Sequence, residues 1–509
     1  MKGMLPRANN SKCVLRLKGK GSRCERPVLP ILRSPREVEP GAEIIAMTKY
    51  DATLGFFAGA LDCASQFSHH IGIETVPFRW SVQANQRDLS FQLIGDNVFG
   101  VHGCAFGDEL LAKNDKDSQM TMRDTAIIAY AETKIVAKGD KDVWTLGAEV
   151  LEDLIRTTGV DKAEIDGLIL SSSQTGAGNP FWAQTTADQL ALEVDFCNTV
   201  DIGGCSPVGA VARAAIAVDA GLCETVFCLF ADTASRENNS RPRHYQAEWT
   251  APLGLLGPPT SFGFLTCRYQ QQFGLDFRML GKLAVAQRNG ALLNDLACEK
   301  LRVPITVEDY LQSRMIADPI RLLDSVMVCD GASGILITSK KNAARRGFKH
   351  AVFPIGYGEK TSYKFAESIV DVTDTGHLPA GEKAFKQAGM KASEIGSFHP
   401  YDDFIIAIML QMEMLGFCKK GQSCDFIRER DFNFNGDLPL NTGGGQISAG
   451  QVGLAGGGTN LVEAVRQLFG EAGTRQVRNG NTALVTGIGG IPYARNWNSS
   501  VVMILTANG

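Results

Sequence analysis

The 509-residue chain lacks the features that would narrow its function at once. It has no uninterrupted apolar run near the roughly 18 residues that cross a bilayer as a helix, and no basic-then-apolar opening of a secretory signal. It has no excess of either charge. Its 51 basic side chains stand against 55 acidic ones, a net charge of −4 with a pI near 6.0, which excludes a strongly basic surface for nucleic acid or anionic membrane. It has no Cys-x-x-Cys pair either: the 13 cysteines are scattered singly, among them Cys197, Cys223, Cys228 and Cys267. That spacing reads as reduced core thiols rather than as zinc ligands or a disulfide framework. What is left is a cytoplasmic protein with a small-molecule substrate and no expected metal or bound cofactor.

Residues 1–119 stand apart, with basic and Pro-containing clusters such as Arg26-Pro27 and Pro30-Ile31-Leu32-Arg33 and few periodic stretches. They read as an N-terminal extension, the product of a start codon assigned too early or an accessory segment, with a genuine extension that packs on the domain as the rival reading. From Thr125 onward strands and helices alternate. Thr125–Ala131 is a short apolar strand, and apolar positions at helical spacing run from Trp144 to Thr158. Strands follow at Ile165–Leu170, up to Ile202, and at Glu224–Ala231, with an Ala-rich helix at Ala210–Ala220. Strands apolar on both faces need helices on both sides of a sheet, so the class is α/β. Residues 120–345 form a first half, interrupted by a long insertion at 232–324, and 346–509 a second. The first half closes on Val326–Ile337, read as two strands with a turn at Asp330-Gly331. The second half repeats the plan: a strand near 351–357, a helix at 381–390, a strand into Tyr401, a helix from Phe404 to Gly416, a Gly-rich helix start near Gly450, and strands at 483–487 and 501–506.

Three steps carry the specific signal: Tyr401-Asp402-Asp403-Phe404, then Asn441-Thr442-Gly443-Gly444-Gly445 with Gly450-Gln451-Val452-Gly453, then Gly487-Ile488-Gly489-Gly490. Over residues 123–506 this order resembles the thiolase superfamily, in its lipid-transfer, sterol-carrier-type branch. The resemblance implies two similar halves in a five-layered α-β-α-β-α sandwich, a coenzyme A thioester as substrate, and a homodimer. The side chains that do thiolase chemistry are exchanged. Tyr401 stands where a first histidine would be, Gln451 where a second would be, and Gly487 where a late cysteine would be. Counting to the family's spacing puts the nucleophile position on Gly204, not on Cys205. Tyr-Asp-x-Phe is also the step of the thiolase-like aldolases of sterol side-chain breakdown, which implies retro-aldol cleavage of a β-hydroxyacyl-CoA and a small OB-fold partner protein.

The residues themselves leave alternatives open. Cys205 is either a nucleophile or a packed thiol, and His399, two residues before Tyr401, would share its side of a strand and could serve as a base. That pairing would make the protein an acyltransferase working through an acyl-Cys205. Tyr401 is either a proton donor or, with a depressed pKa, a base. Gln451 offers an amide that can stabilise an oxyanion but cannot move protons. Gly204, Asn441, Gly444, Gly487 and Gly489 are read as loop positions able to bring backbone donors to an enolate oxygen. One of Asp402 and Asp403 is expected to cap the helix that follows. His244, His350 and His377 carry no motif. Glu463–Leu468 either belongs to the family pattern or is a solvated helix face. A third possibility is a non-catalytic acyl-CoA or lipid binder.

Overall fold

The computed structural model describes residues 122–236, 252, 254, 255, 257–364, 371–478, 480–491 and 497–508. The N-terminal extension, His244, Leu253 and Leu256 lie outside them. Two sheets make the frame. In the first, β1 (Thr125–Glu132), β7 (Asp330–Ser339), β4 (Thr225–Thr233), β2 (Gly167–Ser171) and β3 (Phe196–Val200) lie side by side in that order. In the second the order is β8 (Phe353–Thr361), β11 (Ser499–Thr506), β10 (Thr482–Ile488) and β9 (Ser397–His399). Both follow one rule, two antiparallel pairings and then a parallel one: β1–β7–β4–β2 in the first sheet and β8–β11–β10–β9 in the second. The second half is thus a topological repeat of the first, with β3 matched among the described residues only by the parallel bridge of Leu440 to Phe398 on β9. A small ribbon, β5 (Met315–Ala317) with β6 (Ile320–Arg321), belongs to the insertion.

Every residue of β4 is buried, because both faces of the strand are covered. Val226, Cys228 and Phe230 point to the core between the sheets, and Phe227, Leu229 and Ala231 to the outer core. That outer face is covered by α1 (Val143–Thr158), which starts where Asp142 accepts the Thr145 N–H at 2.7 Å and stops at Gly159 with φ +66°. α2 (Trp182–Gln189) joins it there. Between the sheets run α3 (Ser206–Asp219) and α12 (Gly457–Phe469), packed on each other and on strands of both sheets. Small residues permit this central layer: a Cβ on Gly458 would lie 2.6 Å from Ser333 Oγ and 2.9 Å from Phe230 Cβ. α8 (His377–Ala388) and α9 (Ile405–Met414) cover the far side of the second sheet, over a separate core that includes Leu484, Ile488, Val502 and Ile504. The five layers are as expected.

The insertion leaves from the end of β4 and returns at β7, two neighbouring interior strands, so it projects from one end of the sheet without breaking it. It carries α4 (Pro258–Phe273), opened by prolines in its first turn, α5 (Phe277–Leu292) and α6 (Val307–Gln312). The remaining short helices are α7 (Lys340–Arg346), α10 (Ser423–Glu429) and α11 (Gly445–Ala449).

Three local expectations are overturned. No hairpin turns at Asp330-Gly331; β7 is one strand of ten residues. The Asp330 carboxylate is buried at its first position, where it accepts the N–H groups of Gly139 and Ser235 at 2.9 Å each, so it anchors the strand rather than turning it. No helix starts at Gly450; this glycine, with φ +112°, ends α11, and the next helix begins at Gly457. The acidic pair does not cap its own helix. α9 begins at Ile405 behind Phe404 with no side-chain cap, and the Asp402 carboxylate instead accepts the N–H groups of Gln446 at 3.0 Å and Ile447 at 3.2 Å. A cap supplied from some 40 residues away leaves no trace in local spacing.

Glu463–Leu468 is no solvated face. Glu463, Arg466 and Gln467 are all buried. The Glu463 carboxylate accepts from Thr442 Oγ1 at 2.7 Å, Arg466 Nη1 at 2.6 Å and Arg475 Nη2 at 3.0 Å, and Arg466 also pairs with Glu132. Burial alone would raise the Glu463 pKa; the two guanidiniums outweigh it and hold the group at about 2. Two acidic and two basic groups balance inside the fold, and the network ties the 441–445 loop to α12.

Candidate active site

The strand-to-helix elbow after β3 is a 3-10 turn, Gly203–Cys205, running straight into α3. Tyr401 comes from the loop after β9 and is 4% exposed. The two meet in a specific way. A Cβ built on Gly204 would lie 2.5 Å from Tyr401 Cε2, and closer still to Cζ and the hydroxyl. The phenol therefore fills the space that any side chain at position 204 would need. Two more bare backbones close the same spot: a Cβ on Gly487 would lie 2.7 Å from Cys205 Cα, and one on Gly457 2.7 Å from Gly204 O.

The Tyr401 backbone is clamped from both ends. Its N–H donates to Thr486 Oγ1 at 2.9 Å, that hydroxyl donates to Gln411 Oε1, and Gln411 Nε2 returns to the Tyr401 carbonyl at 2.8 Å. Its phenolic oxygen accepts from Gln451 Nε2 at 3.5 Å, the outer limit of a hydrogen bond and the kind of contact that tightens when substrate arrives. Burial first, then the nearby Asp403 carboxylate and the Cys205 thiol, push the phenol well above its usual pKa, so it is a neutral O–H. Asp403, beside it, has an Oδ1 that is buried without a partner. Burial and the neighbouring Asp402 raise its carboxyl to about 8.

The other predicted residues fall into two groups. Gly204, Gln451 and Gly487 gather at Tyr401. Cys205 is adjacent in sequence, yet its sulfur is fully buried, hydrogen-bonded by the Val501 backbone and raised well above the usual thiol range by burial and then by Glu359. His399 belongs to another cavity, lined also by Asn441, Asn460, Glu463 and Arg466 but not by Cys205. Its Nε2 meets Ser397 Oγ at 3.0 Å, and burial lowers it to about 4, so it is neutral. The backbone N–H groups of Asn441, Gly444 and Gly489 are bonded to Phe398 O, Asn441 O and Ser499 O at 2.9, 2.7 and 2.8 Å, so these residues shape loops rather than offer donors. Asn441, at φ +41°, also holds the Pro400 carbonyl through Nδ2 at 3.1 Å.

These distances describe a glycine-built elbow with a neutral phenol where a nucleophile would stand. A family model described as Thiolase C-terminal domain-like matches residues 358–507. The steroid side-chain-cleaving aldolase of Thermomonospora curvata is 29% identical over 387 residues, 72% of this chain and 95% of that protein. The 17-hydroxy-3-oxo-4-pregnene-20-carboxyl-CoA lyase of Mycobacterium tuberculosis is 28% identical, over 72% of this chain and 97% of that one. Among solved structures, the Ltp2-ChsH2(DUF35) aldolase superposes with a TM-score of 0.67 at 27% identity, covering 76% of this chain and 98% of that one. Residues 358–507 thus match the thiolase C-terminal family, and the chain has the thiolase fold.

Within this thiolase fold several supporting residues carry no motif. Gln411 has one visible signal, a polar side chain in the otherwise nearly all-apolar, fully buried helix α9. Asn460 Nδ2 donates to Pro400 O at 2.6 Å and to Asp402 Oδ1 at 3.0 Å, holding the Tyr401 loop from α12. His377 is buried with its Nε2–H on the Gly487 carbonyl at 3.1 Å and its Nδ1 accepting from Thr375 Oγ1 at 3.0 Å; burial lowers it to about 3, so it orients the late loop as a neutral ring. His350 stacks on Phe469, 5.1 Å between centroids. The insertion also reaches the site: Phe262 of α4 stacks on Phe404 at 4.1 Å, and Gln287 of α5 accepts from Asn441 Nδ2 at 2.8 Å.

The Gly204–Tyr401 fit yields a sharp expectation. Gly204→Cys restores a thiol at the position where thiolases carry one, but it must expel the phenol. We expect a loss of native turnover of about 10²-fold or more, as for any misplaced catalytic group, with no acyl transfer gained, checked by steady-state rates and intact mass.

Proposed function

We propose that this chain cleaves the Cα–Cβ bond of a β-hydroxyacyl-CoA by a retro-aldol reaction, with a steroid or related lipid side chain as the acyl group. The observation that carries this reading is the Tyr401 phenol in the side-chain space of Gly204. A site so filled has no room for a covalent nucleophile at the elbow, and it presents a proton donor there instead. The aldolase of Thermomonospora curvata and the lyase of Mycobacterium tuberculosis support the same reaction class.

Each step has a group suited to it. The Asp403 carboxylate, desolvated and without a partner on one oxygen, takes the proton of the β-hydroxyl. The Cα–Cβ electrons move into the thioester as the ketone or aldehyde leaves. The resulting enolate oxygen accepts from Gln451 Nε2, a donor that stabilises charge without exchanging protons. Tyr401 gives its phenolic proton to Cα, and the proton held by Asp403 returns to the phenolate. The hydroxyl proton is thereby passed to carbon with no net change in the enzyme. Cys205 has no part in this, and no acyl-enzyme forms.

The reading extends to assembly. β3 pairs on one side only among the described strands, which leaves a sheet edge for a second copy. A DUF35-type partner, as in the Ltp2-ChsH2(DUF35) aldolase, would serve as the small OB-fold protein expected above. The test is mass spectrometry of the chain, with and without such a partner, after incubation with acetyl-CoA, longer acyl-CoAs and a β-hydroxyacyl-CoA. The expected result is unmodified protein that releases a carbonyl product. An acyl mass on Cys205 overturns the reading in favour of acyl transfer, and binding without turnover across the panel makes the chain a lipid or acyl-CoA binder. No helix among the described residues is long and apolar enough to cross a membrane.

A further inference from the structure

Two buried thiols sit behind Gln451. Cys298, 2% exposed, immediately precedes the 3-10 turn Glu299–Leu301, and Cys329, fully buried, immediately precedes β7. Both are sewn to the segment that presents Gln451. The Cys298 N–H donates to Ala449 O at 2.8 Å, the Cys329 N–H donates to Gln451 O at 2.8 Å, and the Gln451 N–H donates to Met327 O at 3.0 Å. Gly450 lies between them. A Cβ there would be 2.8 Å from Cys329 Sγ and 3.4 Å from Cys298 Cβ, so the missing side chain is what lets the two thiols approach.

The pair is chemically asymmetric. The Cys298 sulfur accepts from the Cys329 thiol and from the backbone N–H groups of Lys300, Ala137 and Leu301, a cradle of donors that suits a thiolate. These contacts hold Cys298 at about 6, whereas Cys329, as donor to that sulfur and buried, is pushed up. Cys298 is thus the more acidic thiol of the pair and Cys329 the less acidic one.

We propose that Cys298 and Cys329 are a hydroperoxide-reactive thiol pair whose disulfide locks the Gly450–Gln451 corner and slows the enzyme. The Cys298 thiolate attacks one oxygen of hydrogen peroxide and the O–O bond breaks. This leaves Cys298 sulfenic acid and hydroxide, which takes a proton to become water. The Cys329 sulfur then attacks the sulfenic sulfur, the S–O bond breaks, and the hydroxyl leaves as a second water with the thiol proton. Two thiols are oxidised by two electrons and one peroxide is reduced to two waters. The new bond, about 2.05 Å long, replaces a looser contact between the strands that fix Gln451, and so changes the 3.5 Å reach of its amide to Tyr401.

The activity arm of the test rests on the retro-aldol reading; the chemical arm does not. The full-length protein is treated with hydrogen peroxide, its remaining thiols are alkylated, and its peptides are mapped. The expected product is one cross-linked pair carrying Cys298 and Cys329, lighter by two hydrogens and restored by dithiothreitol. In Cys329→Ser the expected product is a dimedone-reactive sulfenic acid at Cys298, which also covers the case in which Cys298→Ser does not fold. Turnover of a β-hydroxyacyl-CoA should fall about tenfold on oxidation, as for a catalytic group displaced by a fraction of an ångström, and return with reductant. Both thiols still free after peroxide, or oxidation confined to the exposed Cys267, overturns the pair. A disulfide that forms without changing turnover overturns its control of the site. Loss of all turnover in the reduced protein, with the disulfide still forming, would strike the retro-aldol reading and leave the thiol chemistry standing.

Discussion

Tyr401→Phe is expected to lower kcat by about 10²- to 10⁴-fold, the range for removing a positioned acid or base, while KM and the melting temperature change little. The asymmetry follows from what the side chain does. Its ring fills the space beside Gly204, and phenylalanine keeps that ring. The clamp by Thr486 and Gln411 holds the backbone, which the substitution leaves alone. Only the hydroxyl goes, and with it the 3.5 Å contact from Gln451. Steady-state kinetics with a β-hydroxyacyl-CoA, alongside a thermal melt, separate the two effects. An equal loss in stability and in rate would mean that Tyr401 is a packing residue with its hydroxyl paired.

Asp403→Asn should make the enzyme slower and the fold more stable at high pH. The unfolded chain releases this proton near the usual carboxylate value of about 3.9, and the folded chain near 8, because burial and Asp402 disfavour the charge. Between those values the native state binds more protons than the unfolded one, so the contribution of this group to stability falls as pH rises through the window and is gone above pH 8, while the rest of the fold's stability is unaffected by it. Asparagine has no charge to desolvate. The variant should therefore melt at the wild-type temperature below pH 4 and above it at pH 9. For wild type, kcat/KM should rise as pH increases through about 8, when the carboxylate becomes available as a base; the variant should lose that limb together with about 10²-fold or more in rate. The charged groups acting on Asp403 include Asp402, itself raised to about 6 chiefly by burial, which is ionised in the upper half of this range.

Much of this arrangement is legible in the sequence because periodicity and glycine spacing are local signals. Strands apolar on both faces require a covered sheet, and the glycine-rich steps set the order of the loops that close on Tyr401. What escapes is non-local. Asp402 looks like the cap of α9 because the helix follows it directly, yet its carboxylate serves α11 across the fold. Asp330-Gly331 looks like a turn because that dipeptide favours one, but buried partners from Gly139 and Ser235 make the same aspartate a strand anchor. His399 alternates with Tyr401 in sequence, but the strand ends at His399 and the chain bends, so the two side chains part and the histidine faces Asn441 and Glu463. The meeting of Gly204 with Tyr401 pairs residues almost 200 positions apart. Sequence spacing suggests that the nucleophile position is a glycine; only the packing shows why it must be one.

The measurement that bears most directly on the central claim is the turnover of a β-hydroxyacyl-CoA in deuterated water, with products and intact protein followed by mass spectrometry. The account predicts a released ketone or aldehyde, a shortened acyl-CoA carrying deuterium at its α-carbon, no requirement for free coenzyme A, and protein of unchanged mass. Cleavage that depends on added coenzyme A, accompanied by an acyl group on Cys205, would contradict it.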